Sequence, residues 1–536
     1  MGELIGAVIG AAWLLASISP VIATPGPGTV GFNFEKRRVS AHEYPRLSRR
    51  QSKTVSAALD NEILLYLINV TVGTPGQPFS LQLDTGSSDI WFPAVNADIC
   101  EQDIQNCALG TYDYTKSSTY ADPNLPEFQI QYVDGSQVAG AYISDVLNIG
   151  DTKLTNMTMA AALTANTRGL GIMGIGFELG EAGFLMDGLQ YPNVIGVLKN
   201  EGHINTWAYS LWLDDLEANT GNILFGGVDT SKYHGDLVSL PIQLDSQTGT
   251  ISSMTVAWTG LTVTGGGQTS NLSPSTPQAA ILDSGTTYLL LPDEIANNVF
   301  NGVGVLTDPS YGNVVPCSLA DDDLTFSFQF GGQSGPIVNV SLSEFVTPLL
   351  TTDRSQPTFR NGDAACAFAI EAAGDNPILF GDAFLRSAYV VYDLENQEIG
   401  IAQTDFNAGK SNIQAFQESS GIPNVVSTAT VASVVQTFTG VPRVTEASAT
   451  VTGEIGPASS RSATFNLTPT SGSSSGSSSS SGGSGGGSSE TGGSSSSSSS
   501  SAANANLRAS PVEAASIVAG CAVAVGFLFG GSLMLL

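Results

Sequence analysis

One short phrase occurs twice in this chain, 199 residues apart: Leu83-Asp84-Thr85-Gly86-Ser87-Ser88 and Leu282-Asp283-Ser284-Gly285-Thr286-Thr287. Each copy follows an apolar run, Phe79 to Leu83 or Ala279 to Leu282, and sets one carboxylate on a tight, hydroxyl-rich turn. A single Asp-Thr-Gly is an ordinary turn signal, because Asp and Gly suit turns for local backbone reasons. Two copies, each with hydroxyls on both sides of the glycine, constrain the chain much further. They imply two similar half-sites that bring two aspartates face to face.

That arrangement has a chemistry. Two carboxyls close enough to share a proton cannot both ionise easily, so one stays an acid while the other is a base. A water between them can be deprotonated by one and driven onto a peptide carbonyl while the other donates to the developing oxyanion. Asp84 and Asp283 are the expected catalytic pair. Thr85, Gly86 and Ser87, with Ser284, Gly285 and Thr286, are the expected supports, since small and hydroxyl residues let N–H and O–H groups reach a carboxylate. The reaction requires no metal and no cofactor, and none is expected.

Composition points to strands. Of the 536 residues only 12% are charged, and Ser, Thr, Gly and β-branched residues abound. Alternating stretches such as Leu65 to Val72, punctuated by glycine-containing turns, read as all-β. With the repeated phrase they suggest two β lobes and a cleft between them. Asp134-Gly135 between apolar runs predicts a hairpin turn.

On these residues and several further phrases the chain resembles the pepsin-like aspartic proteases, and among them the fungal surface-anchored, yapsin-like group. The resemblance covers residues 60–405 and includes Val72-Gly73-Thr74-Pro75-Gly76-Gln77-Pro78-Phe79, Ile172-Met173-Gly174, Leu379-Phe380-Gly381, Phe225-Gly226-Gly227-Val228-Asp229 and Val391-Tyr392-Asp393. It implies a bilobal fold with the active-site cleft between lobes 51–240 and 241–406. It also implies a flap bearing Tyr132, Asp134, Gly135 and Ser136, with Trp91 as flap support. Two departures stand out: Val133, where many relatives have Gly, and Asp-Ser-Gly at the second site, which keeps the hydroxyl. Asp134 at the flap tip either serves the turn alone or pairs with a basic substrate side chain.

Residues 4–16 are nearly all apolar and lead to Val21-Ile22-Ala23, so 1–23 read as a signal peptide, although Glu3 stands where a basic start is usual. Residues 24–50 hold Lys36, Arg37, Arg38, Arg46, Arg49 and Arg50 and read as a basic propeptide, cut after Arg49-Arg50 by a processing protease or by the enzyme itself. The whole chain carries a net charge of −29, and without residues 1–50 it carries −32. A basic prosegment held on so acidic a chain is expected to be released as carboxylates protonate, with Lys36 or a neighbouring Arg as candidate occupant of the dyad. The same charge disfavours nucleic-acid binding.

Setting aside Cys521 in the apolar tail, Cys100, Cys107, Cys317 and Cys366 allow three pairings. The resemblance favours Cys100 with Cys107 and Cys317 with Cys366. A zinc site is the competing reading, but there is no Cys-x-x-Cys and no adjoining His. Asn69, Asn156, Asn271, Asn339 and Asn466 head glycosylation triplets, Asn69 within an expected strand.

From 407 the composition changes. Residues 407–503 are Ser-, Thr- and Gly-rich, and read as a flexible stalk. Residues 504–536, with an uncharged apolar run from Ile517 to the end, read as a GPI-attachment signal that is removed, the competing reading being a retained membrane helix. Gly169-Leu170-Gly171-Ile172-Met173-Gly174 satisfies a nucleotide-binding pattern but lacks its strand–helix–strand context. The chain is therefore expected to be a monomeric, GPI-anchored protease acting on protein or peptide substrates. A freely secreted acid protease and a non-catalytic surface protein are the alternatives.

Overall fold

The computed structural model describes residues 28–39 and 63–431, apart from 103, 168–169, 217, 219, 246–248, 310, 350–354 and 419, together with 434 and 468–469. The signal segment, Arg49-Arg50, most of the stalk, Asn466, Cys521 and the apolar tail lie outside the described residues, as do the side chains of Lys36 and its neighbours at 35–39.

Strand formation follows the two-residue period. In Leu324–Phe330 the side chains of Leu324, Phe326, Phe328 and Phe330 are buried while Thr325, Ser327 and Gln329 between them are partly exposed. Phe328 meets Phe380 edge-on at 5.5 Å and Phe384 at 5.4 Å, and Phe380 and Phe384 are 4.7 Å apart. Such pairs each add about 0.5–1.5 kcal/mol beyond the area they bury. They anchor the Leu379-Phe380-Gly381 segment.

Among the described residues one 14-stranded sheet runs from Val425–Thr428 to Glu127–Gln131, and a nine-stranded sheet gathers most strands between Thr255 and Phe380. The same local construction appears twice. Gln77–Asp84 lies parallel to Ile172–Gly174 with Asp84 opposite Gly174, and Ile90–Pro93 runs antiparallel to the latter. In the second half Gln278–Leu282 lies parallel to Ile378–Phe380 with Leu282 opposite Phe380, and Leu289–Leu291 runs antiparallel to it. Each aspartate thus sits where one strand of such a set ends. The expected all-β, two-lobed architecture is present.

Three features were not expected. Ile413–Ala415 and Val425–Thr428, read from sequence as part of a flexible stalk beginning at 407, pair with Gly227–Asp229 and Tyr233–Pro241, and Phe416 is fully buried in an apolar cluster, so the stalk reading does not hold for this stretch. Ala388–Asp393 and Glu398–Thr404, assigned from sequence to the second lobe, pair with Ala208–Trp212 and Tyr233–Pro241 of the first. Val30–Val39, assigned to the propeptide, lies as a strand between Thr220–Phe225 and Ile63–Val72, with Lys36 opposite Tyr66. Periodicity identifies strands, but it carries no record of which distant strand becomes the neighbour.

Cys100 pairs with Cys107 and Cys317 with Cys366, at Cα separations of 5.6 and 4.9 Å. Both pairings favoured by the resemblance are formed, and the zinc reading of these cysteines is excluded.

Candidate active site

The two phrases form one interlocked unit. Thr85 Oγ1 donates to the carbonyl of Leu282 (2.9 Å) and accepts from the N–H of Ser284 (2.9 Å). Reciprocally, Ser284 Oγ donates to the carbonyl of Leu83 (3.0 Å) and accepts from the N–H of Thr85 (3.2 Å). Both residues are essentially inaccessible to water, so these four bonds form where water does not compete and where an unmade one would be costly. They fix one loop against the other.

The carboxylates sit symmetrically on this base. The N–H of Gly86 donates to Oδ1 of Asp84, and that of Gly285 to Oδ1 of Asp283, both at 2.8 Å. Ser87 Oγ donates to Oδ2 of Asp84, and Thr286 Oγ1 to Oδ2 of Asp283 at 2.7 Å. Thr85, Gly86, Ser87, Ser284, Gly285 and Thr286 thus all hydrogen-bond to a carboxylate or to the facing loop.

A Cβ on Gly86 would lie 2.5 Å from Oδ1 of Asp283, and one on Gly285 would lie 2.3 Å from Oδ1 of Asp84. Each glycine therefore leaves room for the opposite carboxylate. Burial raises the pKa of Asp84, the negative charge of Asp283 raises it further, and the bonds from Ser87 and Gly86 only partly oppose this. The pair holds a proton that a lone exposed carboxyl would have released. It is therefore equipped to act as acid and base together.

Sequence reading missed one link across this site. Gln82, whose side chain is buried in the strand before Asp84, donates through Nε2 to the carbonyl of Gly285 at 2.9 Å. Its only signal was a second polar residue, after Ser80, in the run Phe79 to Leu83.

The flap is a hairpin of Glu127–Gln131 and Gln137–Ile149. Its turn is closed by bonds from Tyr132 N–H to the carbonyl of Ser136 and from Gly135 N–H to the carbonyl of Tyr132, both 2.9 Å, with Gly135 at φ +81°. That φ favours glycine strongly. Trp91, fully buried, donates from Nε1 to the hydroxyl of Tyr132 at 2.6 Å, so Trp91 is both core and flap support. Asp134 is exposed, and its Oδ1 accepts from the N–H of Ser136 at 2.9 Å. Val133 packs against Leu290, Ala373 and Leu379 of the second half, which gives the departure from glycine a physical reason.

Behind the flap lies a buried polar group. Asp89 accepts from the hydroxyl of Tyr191 and, at 2.8 Å, from the N–H of Ala182. Glu181, fully buried, accepts weakly from the N–H of Tyr191 at 3.4 Å, and burial together with the charge of Asp89 pushes its pKa up to about 10. Of the glycosylation candidates, Asn69, Asn156, Asn271 and Asn339 are all exposed, Asn69 within the strand Ile63–Val72.

The family profile described as eukaryotic aspartyl protease matches residues 65–404. The chain is 40% identical to the probable aspartic-type endopeptidase OPSB of Arthroderma benhamiae, over 81% of this chain and 90% of that protein. It is 42% identical to the probable aspartic-type endopeptidase opsB of Aspergillus fumigatus, over 69% of this chain and 74% of that one. It is 32% identical to the aspartic proteinase yapsin-3 of Saccharomyces cerevisiae, over 71% and 73%.

Proposed function

The chain belongs to the eukaryotic aspartyl protease family, and from that premise we propose that this aspartic endopeptidase is secreted, held at the cell surface by a GPI anchor, and acts on cell-surface or extracellular proteins with a preference for basic residues. The observation that carries the activity is the interlocked Asp84–Asp283 pair, with a raised pKa at Asp84 and one hydroxyl on each carboxylate. In the reaction the ionised carboxyl takes a proton from water as the oxygen attacks the peptide carbonyl, and the protonated carboxyl donates to the carbonyl oxygen. Collapse of the tetrahedral species then protonates the leaving amine and returns the pair to its starting state.

The anchor reading is supported by the Ser- and Gly-rich stretch followed by an uncharged apolar terminus. Among the described residues no helix is long and apolar enough to cross a membrane. Release of the protein from intact cells by a phosphatidylinositol-specific phospholipase is the expected result. Retention after that treatment contradicts the anchor.

The basic preference is supported by Asp134, whose carboxylate is exposed at the flap tip. Asp134→Ala is expected to lose cleavage beside Lys or Arg while keeping cleavage at apolar sites. Equal losses on both substrate types leave Asp134 a turn residue only.

A further inference from the structure

Away from the aspartates, a cavity of about 610 Å³ lies against the flank of the flap, lined among others by Ile130, Val138, Ala182, Leu185 and Met186. That volume is ample for a side chain and falls within the range of ligand pockets. Leu185 and Met186 are 66% and 56% exposed, side by side on the helix Ala182–Asp187. Exposed apolar side chains at the rim of a cavity add apolar surface that a ligand side chain entering it would cover.

The pocket wall shares residues with the packing that supports the flap and the Asp84 loop. Val138, Ala182 and Ile130 belong to the apolar cluster that contains Trp91 and Tyr132. The N–H of Ala182 is bonded to Asp89, in the loop that begins at Asp84. The flap meets the dyad region at Tyr132 in its turn and borders the cavity along Gln129, Ile130 and Gln131. Glu127–Gln131 is also the terminal strand of its sheet, and such an edge offers backbone N–H and C=O groups to an extended chain.

Resting on the protease reading, we propose that this pocket is a substrate subsite outside the dyad cleft, taking one apolar side chain, Leu, Met or Phe, from an extended stretch of the polypeptide substrate that flanks the scissile bond. It makes the enzyme discriminate by segment length as well as by the residues at the cut.

The test uses the processed enzyme and three sets of peptides with the same cleavage site: a short one, and extensions at either end carrying Leu or, in their place, Asn. Wild type is expected to cleave one Leu-extended series about tenfold more efficiently than its Asn counterpart, as befits one apolar side chain in a pocket, with the gain in KM. L185S/M186S, and Leu185→Gln as a milder variant, are expected to abolish that ratio. Both alter exposed side chains, and a thermal melt verifies the fold. A Leu-to-Asn ratio near one in wild type, or one that survives in both variants while the short peptide is cleaved, overturns the subsite and leaves the protease reading intact. Failure of verified, processed wild type to cleave any of the peptides overturns both.

Discussion

Gly285 stands so close to Asp84 that a methyl group on its Cα would lie 2.3 Å from Oδ1 of the carboxylate, and Gly86 stands in the same relation to Asp283 at 2.5 Å. The glycine of each phrase serves the aspartate of the other. Gly285→Ala is therefore expected to displace Asp84 and lower kcat about a hundredfold, since a misplacement of about 1 Å carries that cost. The fold should survive, because Gly285 lies at the partly exposed surface of the site. Steady-state kinetics with a melting curve check this, and an alanine variant of normal kcat contradicts it.

Thr85 ties the two loops through its hydroxyl, donating to Leu282 and accepting from Ser284. Thr85→Val keeps the shape and removes both bonds, leaving a buried carbonyl and N–H unpaired. A loss of about 2–4 kcal/mol in unfolding free energy is expected, with a fall in kcat, and Thr85→Ser should restore both. Denaturant unfolding of the three proteins measures it.

Ser87 donates to Asp84 and so favours its ionised form. Removing the hydroxyl in Ser87→Ala raises the pKa of Asp84 further. The alkaline limb of the bell-shaped kcat/KM profile, which reports the second ionisation of the coupled pair, should then move to higher pH. A limb that stays in place or moves down is the contrary result.

Glu181 is fully buried with its pKa pushed up to about 10 by burial and by Asp89, whose own pKa burial also raises. Glu178, close by, is raised by burial as well. A carboxyl with a raised folded-state pKa holds its proton in the native state while the unfolded chain releases it. Its stabilising contribution is thus complete below the unfolded value of about 4.3 and declines as pH rises towards the folded one. Glu181→Gln is expected to raise the melting temperature at pH 7 by several degrees and to flatten its fall between pH 4.5 and 8. Parallel melting curves for wild type and variant across that range contradict the assignment.

The dyad, its supports and the flap turn were legible in the sequence because each depends on chemistry within a few residues: a carboxylate, a glycine two residues after it, a hydroxyl on either side of that glycine. What depends on long-range placement was not. Gln82 reaching Gly285, Glu181 beside Asp89, and Arg386, fully buried and paired with Glu344, join positions that no local pattern connects. The strand Val30–Val39 was read as basic charge, and its place between Thr220–Phe225 and Ile63–Val72 follows from pairing with residues far along the chain. Val133 looked like a departure until the fold brought Leu290 and Leu379 against it.

The central claim is that Asp84 and Asp283 act as one unit. It is tested most directly by the pH dependence of peptide hydrolysis for processed wild type, Asp84→Asn and Asp283→Asn. The account predicts an acid-side bell for wild type and a loss of about a thousandfold or more in each variant, with the fold retained. Substantial activity in either variant, at any pH across the range, would contradict it.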